Sequence, residues 1–121
     1  MSIRITIGGC RDFNDYELFR KAVKECVERI KRSEEIIILS GHCRGTDLMA
    51  ERYALENGYK TEIYPAEWKK YGRGAGLWRN RIMTEKSDAV IAFWDGKSRG
   101  TKNLIETAKK LQKYLEVVEI Q

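Results

Sequence analysis

Two short, unbroken apolar runs decide what this chain of 121 residues can fold into: Ile36-Ile37-Ile38-Leu39 and Ala89-Val90-Ile91-Ala92-Phe93. An apolar run with no polar alternation reads as a strand covered on both faces, the signature of a parallel sheet sandwiched by helices. Each run empties into a turn bearing glycine and arginine, Ser40-Gly41-His42-Cys43-Arg44-Gly45-Thr46-Asp47 and Trp94-Asp95-Gly96-Lys97-Ser98-Arg99-Gly100-Thr101, and each turn opens a helical pattern. Arg44-Gly45-Thr46 and Arg99-Gly100-Thr101 match, and Glu51 and Glu106 each follow their threonine by five residues. Turns of this kind build anion pockets. Helix-start N–H groups lack internal partners, the helix dipole adds positive charge, glycine lets backbone approach a ligand, and arginine supplies a fork of donors. The plain alternative is an ordinary turn with threonine as helix cap. The repetition favours the pocket.

The remaining segments complete the alternation. Ile3 to Ile7 reads as a first strand ending at Gly8-Gly9, followed by the loop Cys10-Arg11-Asp12-Phe13-Asn14. Asn14 or Asp15 is the expected N-cap of an amphipathic helix that carries Phe19, Ala22, Val23, Cys26, Val27 and Ile30 and runs to Arg32. The second strand-helix unit spans Glu35 to Asn57 and closes at Gly58. Lys60 to Tyr64 is a third strand, stopped by Pro65. Ala66 to Ala75 is the longest irregular stretch, rich in glycine, aromatics and positive charge, where Trp68 and Tyr71 either stack on a base or pin the loop to the core. A third helical pattern covers Gly76 to Lys86 with Arg79 and Asn80 in its first turn; a further helix reaches about Lys113, and Leu115 to Ile120 is a fifth strand.

Five strands alternating with helices predict a single α/β domain over 1–121: a Rossmann-like parallel sheet in the order 3-2-1-4-5 with helices on both faces. That order sets the first and fourth strands side by side where the winding reverses, and open α/β sheets bind ligands at the carboxyl ends of such strands. Gly8-Gly9-Cys10-Arg11-Asp12 does not fit G-x-G-x-x-G, which argues against an ordinary dinucleotide site.

Composition narrows the function classes. Hydrophobic residues make up 42 % and charged residues 34 % of the chain, no apolar stretch approaches a membrane span, and Met-Ser-Ile-Arg-Ile-Thr has no signal-peptide core. A cytoplasmic protein without membrane contact is expected. Cys10, Cys26 and Cys43 form an odd set without C-x-x-C spacing, so neither a disulfide framework nor a metal site is expected. Cys26 reads as core filler, and Cys10 and Cys43 read as small cleft residues in preference to a redox pair. The net charge of +5 favours anionic partners. Most basic residues lie among acids on helices, but Arg11, Arg44, Arg73, Arg79, Lys97 and Arg99 fall in or beside the loops.

Gly8-Gly9-Cys10-Arg11-Asp12-Phe13, Ser40-Gly41 through Arg44-Gly45-Thr46-Asp47, Arg79-Asn80 with Met83, and Trp94-Asp95-Gly96 through Gly100-Thr101 together resemble the YspA-type, cpYpsA-related members of the SLOG superfamily. These are Rossmann-like domains kin to the cytokinin-activating phosphoribohydrolases and to the DNA-processing proteins of natural transformation. The resemblance implies a pocket for a nucleotide or nucleotide-derived ligand. It does not imply a known reaction. The phosphoribohydrolases carry Pro-Gly-Gly before Gly-Thr and a catalytic acid two to three residues after the threonine, whereas this chain has Gly96-Lys97-Ser98 before the turn and Asn103 and Leu104 after it. A glycosidase needs a carboxylate beside the sugar, for which Glu106, Asp12, Asp47 and Asp95 are the substitutes.

The leading reading is therefore a domain that binds a nucleotide-type ligand to sense or present it, with no other cofactor. Its ligand residues are Gly8, Gly9, Arg11, Ser40, Gly41, Arg44, Gly45, Thr46, Asp47, Arg79, Asn80, Trp94, Arg99, Gly100 and Thr101. Within that set Gly41, Gly45, Thr46, Gly100 and Thr101 contact phosphate, Arg44 and Arg99 neutralise it, and Arg79 with Asn80 reads sugar or base. The second reading is a hydrolase of an N-glycosidic or phosphate-ribose bond with Asp95, Asp47 or Glu106 as its acid or base, and with His42 as a base or a rim residue. The third, ranked behind both, is single-stranded nucleic-acid binding along Trp68 to Arg73. A homodimer through Leu77 and Trp78 fits relatives of this kind.

Overall fold

The computed structural model describes residues 2–30 and 35–121. Strand β1 is Ser2–Gly9, β2 Glu35–Ser40, β3 Lys60–Ile63, β4 Ala89–Trp94 and β5 Tyr114–Glu119. All five pair in parallel in the order β3-β2-β1-β4-β5, as the alternation predicts. Helix α1 is Tyr16–Ile30, α2 Thr46–Glu56, α3 Trp68–Tyr71, α4 Ala75–Glu85 and α5 Arg99–Lys110. The expected end of α1 at Arg32 lies outside the described residues.

The unbroken apolar runs serve two layers at once because successive side chains leave opposite faces of a strand. Ile36, Ile38, Ile91 and Phe93 join Ile5 and Ile7 in one core beneath α1 and α2, where Phe19 and Val23 are fully buried. Ile37, Leu39, Val90 and Ala92 face the other way, onto Met83 of α4 and Leu104, Ile105 and Ala108 of α5. Phe19 stacks on Phe93 at 4.9 Å, and Phe93 in turn on Phe13 at 5.5 Å. This aromatic column ties α1 and the loop ahead of it to the central strands. Burying one such ring contributes about 2–3 kcal/mol.

The helix ends follow local chemistry. Asp15 Oδ1 accepts the Leu18 N–H at 3.1 Å and caps α1. At the end of α2, Gly58 N–H bonds Leu55 O at 3.4 Å and Tyr59 N–H bonds Ala54 O at 2.9 Å, a Schellman closure with Gly58 at φ 68°. Helix α5 ends three residues before the expected Lys113, because the same closure forms there. The left-handed position is Gln112, at φ 56°.

Residues 66–75 differ from the expected irregular loop: Trp68–Tyr71 is a short helix and Gly72–Gly74 a 3₁₀ turn that runs directly into α4. Glycine's low helix propensity hides this in the sequence, but Gly74 sits at φ −81°, a helical value. Helix α4 therefore begins at Ala75, and Arg79 and Asn80 lie in its second turn instead of its first.

A side chain in the left-handed region is strained, and glycine relieves the strain. Gln112→Gly should stabilise the protein by about 0.5–1 kcal/mol, read as a higher melting temperature. An unchanged or lower melting temperature would show that the Gln112 side chain offsets its own strain.

Candidate functional site

At the carboxyl edge of the sheet, the loops after β1, β2 and β4 diverge around one cleft of about 590 Å³. The strand order explains its place. β1 and β4 are bonded neighbours up to Cys10, whose N–H donates to Phe93 O at 3.1 Å, and beyond that point their chains leave toward opposite faces of the sheet. The cleft is lined by Gly8, Gly9, Cys10, Arg11 and Asp12 after β1, by Cys43, Arg44 and Asp47 after β2, and by Asp95, Lys97, Ser98, Gly100, Thr101 and Leu104 after β4. Trp68, Arg73, Gly76, Leu77, Arg79, Asn80 and Met83 close the remaining side. Both arginine-bearing turns thus reach the same hollow.

The two turns are not equivalent, although their sequences match. Thr46 opens α2, is fully buried, and gives both its N–H (3.3 Å) and its hydroxyl (2.9 Å) to the carbonyl of Cys10. Gly45 sits at φ 77°, and a Cβ there would overlap the Cys10-Arg11 backbone. This turn is bolted to the β1 loop and leaves no Thr46 donor for a ligand. The second turn is shifted: Ser98 is the N-cap of α5 and its Oγ accepts the Thr101 N–H, so Gly100 and Thr101 lie within the first helical turn and line the cleft. Threonine caps neither helix.

At the floor lies Asp47, only 6 % exposed. Its Oδ2 accepts the Cys43 N–H at 3.2 Å. Burial pushes its carboxyl up to about 6, against the pull of the Cys43 N–H, the Arg79 guanidinium and the Gly9 N–H. Arg79 is held across the floor by donating to Gly41 O at 2.8 Å, Tyr64 O at 3.3 Å and Asn80 Oδ1 at 3.1 Å. Gly41 has no side chain because the Arg79 guanidinium occupies the position a Cβ would take. Asn80 in turn gives its amide hydrogens to Gly100 O and Asn103 Oδ1, clasping α4 to α5. Most of the polar capacity of Arg79 and Asn80 is thus committed inside the protein, which the sequence pattern alone could not convey.

Several other candidate residues shape the cleft from behind. Ser40 is buried and donates to Glu51 Oε2 at 2.8 Å, while His42, at φ 61°, turns its Nδ1 to the same carboxylate at 2.8 Å. Neither lines the cleft. Trp94 donates to Ser98 O at 3.1 Å and braces the second turn. Arg99 and Glu106 are exposed on α5 and are not among the residues that line the cleft. Asp95 does line the cleft, but its Oδ1 accepts the Lys97 and Ser98 N–H groups at 2.8 Å each, and those bonds, Ser98 first, hold its carboxyl below the usual aspartate range. Cys10 meets Thr101 Oγ1 at 3.9 Å, and burial raises its thiol.

The rim is basic. Arg44 pairs with Asp12 at 3.1 Å, both well exposed, whereas Arg11, Arg73 and Lys97 make no ion pair among the described residues. Leu77, Met83 and Leu104 are lining residues that the sequence pattern marks only as helix apolar positions; the single available signal is their place on helices that begin at the sheet's carboxyl edge. Among the described residues no group of three or more His, Cys, Asp and Glu converges as a metal site requires, and no helix is long and apolar enough to cross a membrane.

Comparison with known proteins gives three findings. A family model described as YAcAr, the YspA, cpYpsA-related SLOG family, matches residues 3–71. The Gene 61 protein of Mycobacterium phage D29 is 29 % identical over 113 residues, 88 % of this chain and 89 % of that protein. Among solved structures, DNA processing protein A of Streptococcus pneumoniae matches 99 % of this chain at a TM-score of 0.73 and 21 % identity. DNA processing protein A of Helicobacter pylori, described for its single-stranded DNA binding mode, matches 98 % at 0.69 and 24 % identity. This chain spans 51 % and 66 % of those two proteins, respectively, and the likeness establishes the fold.

The buried carboxyl sets a pH dependence. Folded Asp47 holds its proton more tightly than an unfolded aspartate at 3.8, so the folded state loses stability as pH rises through the window from 3.8 to about 6. The loss approaches about 3 kcal/mol at full ionisation. Asp47→Asn removes that contribution. In urea titrations the variant should therefore gain on the wild type as pH rises from about 4 to 7; parallel curves would show that Asp47 is not desolvated.

Proposed function

The chain belongs to the YspA, cpYpsA-related SLOG family, and on that footing we propose that it binds a nucleotide or nucleotide-derived ligand in the cleft at the carboxyl ends of β1, β2 and β4. The observation that carries this reading is the asymmetry of the cleft. One flank offers Arg11, Arg44 and Lys97 from the strand-end loops beside the first turn of α5; the other, built from residues 68–83, offers Trp68 and Leu77, which are 51 % and 52 % exposed, with Arg73 beside them. A phosphate fits the first flank, where cations and unpaired helix N–H groups meet. A base fits the second, where an aromatic surface is available for stacking. Gly8 and Gly9 floor the site. Ser40, Gly41, Gly45, Thr46 and Trp94 hold its walls, and Arg79 and Asn80 fix the floor more than they read the ligand. A cleft volume of about 590 Å³ suits a mononucleotide or a somewhat larger derivative. In this reading the protein is cytoplasmic and senses or presents its ligand. Leu77 and Trp78 on α4 are the exposed apolar residues a homodimer contact would cover.

The hydrolase reading has less support in the geometry. Asp95 is engaged by its own turn and Glu106 stands off the cleft, which leaves Asp47 alone among the three candidate acids. A polymeric ligand is the stronger second reading, favoured by the helical stretch Trp68-Lys69-Lys70-Tyr71 with Arg73, and by Tyr71 and Trp78 standing 5.7 Å apart at the surface. The Helicobacter pylori protein of the same fold is described as binding single-stranded DNA.

A thermal-shift screen with AMP, ADP-ribose and a cyclic dinucleotide tests the first reading. At least one should raise the melting temperature, and Arg44→Ala should weaken that ligand by about 10- to 100-fold, the range of a charged hydrogen bond. Arg99→Ala, off the cleft, should change it little. A flat screen, together with an oligonucleotide affinity that falls steeply with salt and with Trp68→Ala, would transfer the case to the polymer.

A further inference from the structure

Deep in the cleft an acid sits where a phosphate pocket would be expected to be neutral or basic. Asp47 lies among the residues that line the cleft, with the Arg79 guanidinium near it on the Gly41 side and Leu104 on the Gly8 side. On two sides its carboxylate faces Gly8 and Gly41, where a Cβ would stand 3.5 Å from Oδ1 and 2.8 Å from Oδ2. A carboxylate offers about four acceptor positions. The Cys43 N–H takes one and the Gly9 N–H lies near another, and the remaining capacity faces the hollow that Asp47 lines. An anion cannot occupy that floor, because two negative charges would meet in a poorly solvated place. A ligand that fills the cleft must lower hydrogen-bond donors onto Asp47 while keeping its negative charge at the rim.

In a nucleotide the sugar joins base to phosphate. With the phosphate against Arg11, Arg44 and Lys97 and the base against Trp68 and Leu77, the sugar spans the floor between the two flanks. We infer that Asp47 accepts the 2′- and 3′-hydroxyls of a ribose, so that the cleft selects ribonucleotides over their deoxy counterparts. The inference rests on the nucleotide reading of the cleft and adds to it a substrate class and a specificity residue. A hydroxyl donor adds to the Cys43 N–H that the carboxylate already accepts, whereas a dideoxy sugar covers the remaining acceptor positions without filling them.

The test uses the intact protein and four probe pairs: AMP, GMP, CMP and UMP, each against its 2′,3′-dideoxy counterpart, by calorimetry at pH 8. The tightest ribonucleotide should bind at least about 10-fold better than its dideoxy partner, and a preference that includes UMP excludes an exocyclic amine as the donor. Asp47→Asn should bring the ratio toward one, whereas Arg44→Ala should weaken both members of a pair and leave the ratio standing. Wild type at pH 5 provides a second route should Asp47→Asn fail to fold. Both members of a pair carry the same phosphate, so a ratio that shrinks on acidification reports the floor. The charged groups bearing on Asp47 are Arg79 and Glu51; Arg11, Asp12, Arg44, Arg73, Asp95 and Lys97, with the thiols of Cys10 and Cys43, line the same cleft, and His42 lies behind Glu51. Equal binding of ribo and dideoxy forms, or a preference that survives in Asp47→Asn, overturns the inference and leaves the nucleotide reading intact. No binding by any of the eight probes overturns the inference for mononucleotides, and a thermal-shift screen that is flat for ADP-ribose and the cyclic dinucleotide as well overturns the nucleotide reading itself.

Discussion

A single carbonyl oxygen organises the business end of this domain. Cys10 O receives the N–H and the hydroxyl of Thr46, and the Phe13 N–H besides, while Cys10 N–H continues the ladder to Phe93. The loops after β1 and β2 therefore cannot move independently, and the loop after β4 meets them through the contact between Cys10 Sγ and Thr101 Oγ1. Hydrogen bonds to a buried carbonyl are costly to lose, since the oxygen is then left without a partner. The cleft exists because three strand ends are locked at one point and their chains depart in different directions from it.

Around that lock the polar groups sort by depth. The rim carries exposed cations whose ion pairing, as between Arg44 and Asp12, contributes little to stability. The floor carries a buried carboxylate and a part-buried guanidinium, tied to backbone groups just beyond the ends of β2 and β3. A buried acid with spare acceptor capacity is unfavourable in the free protein. Sites that hold such groups are commonly those where a ligand supplies the missing partner.

Much of the architecture is legible in the amino-acid order. Ile36–Leu39 and Ala89–Phe93 can only be two-faced strands, and the order β3-β2-β1-β4-β5 follows from parallel connections between them. Asp15 and Gly58 announce their helix ends by residue type. The cleft's location follows from that order too. What the sequence hides is the direction of side chains whose partners are remote in the chain. Thr46 turns inward to Cys10, thirty-six residues away, while Thr101 in the same tripeptide faces the cleft. Asn80 looks like a ligand residue until Asn103 and Gly100 are seen to take its amide hydrogens. The helical turns at 68–74 are concealed for a different reason: glycine weakens any local preference, and contact with α4 decides the outcome.

The division of labour between wall and rim has a consequence for how such a domain can diversify. Thr46 bonds a main-chain carbonyl, and Arg79 and Asn80 each give part of their hydrogen bonds to main-chain oxygens, which every sequence possesses, so they maintain the cleft's shape whatever decorates its edge. The side chains of Arg11, Arg73 and Lys97 make no ion pair or hydrogen bond among the described residues. Exchanging them retunes the charge and reach of the opening without disturbing the framework, so one scaffold of this kind can be re-addressed to new chemical clients by a handful of surface replacements.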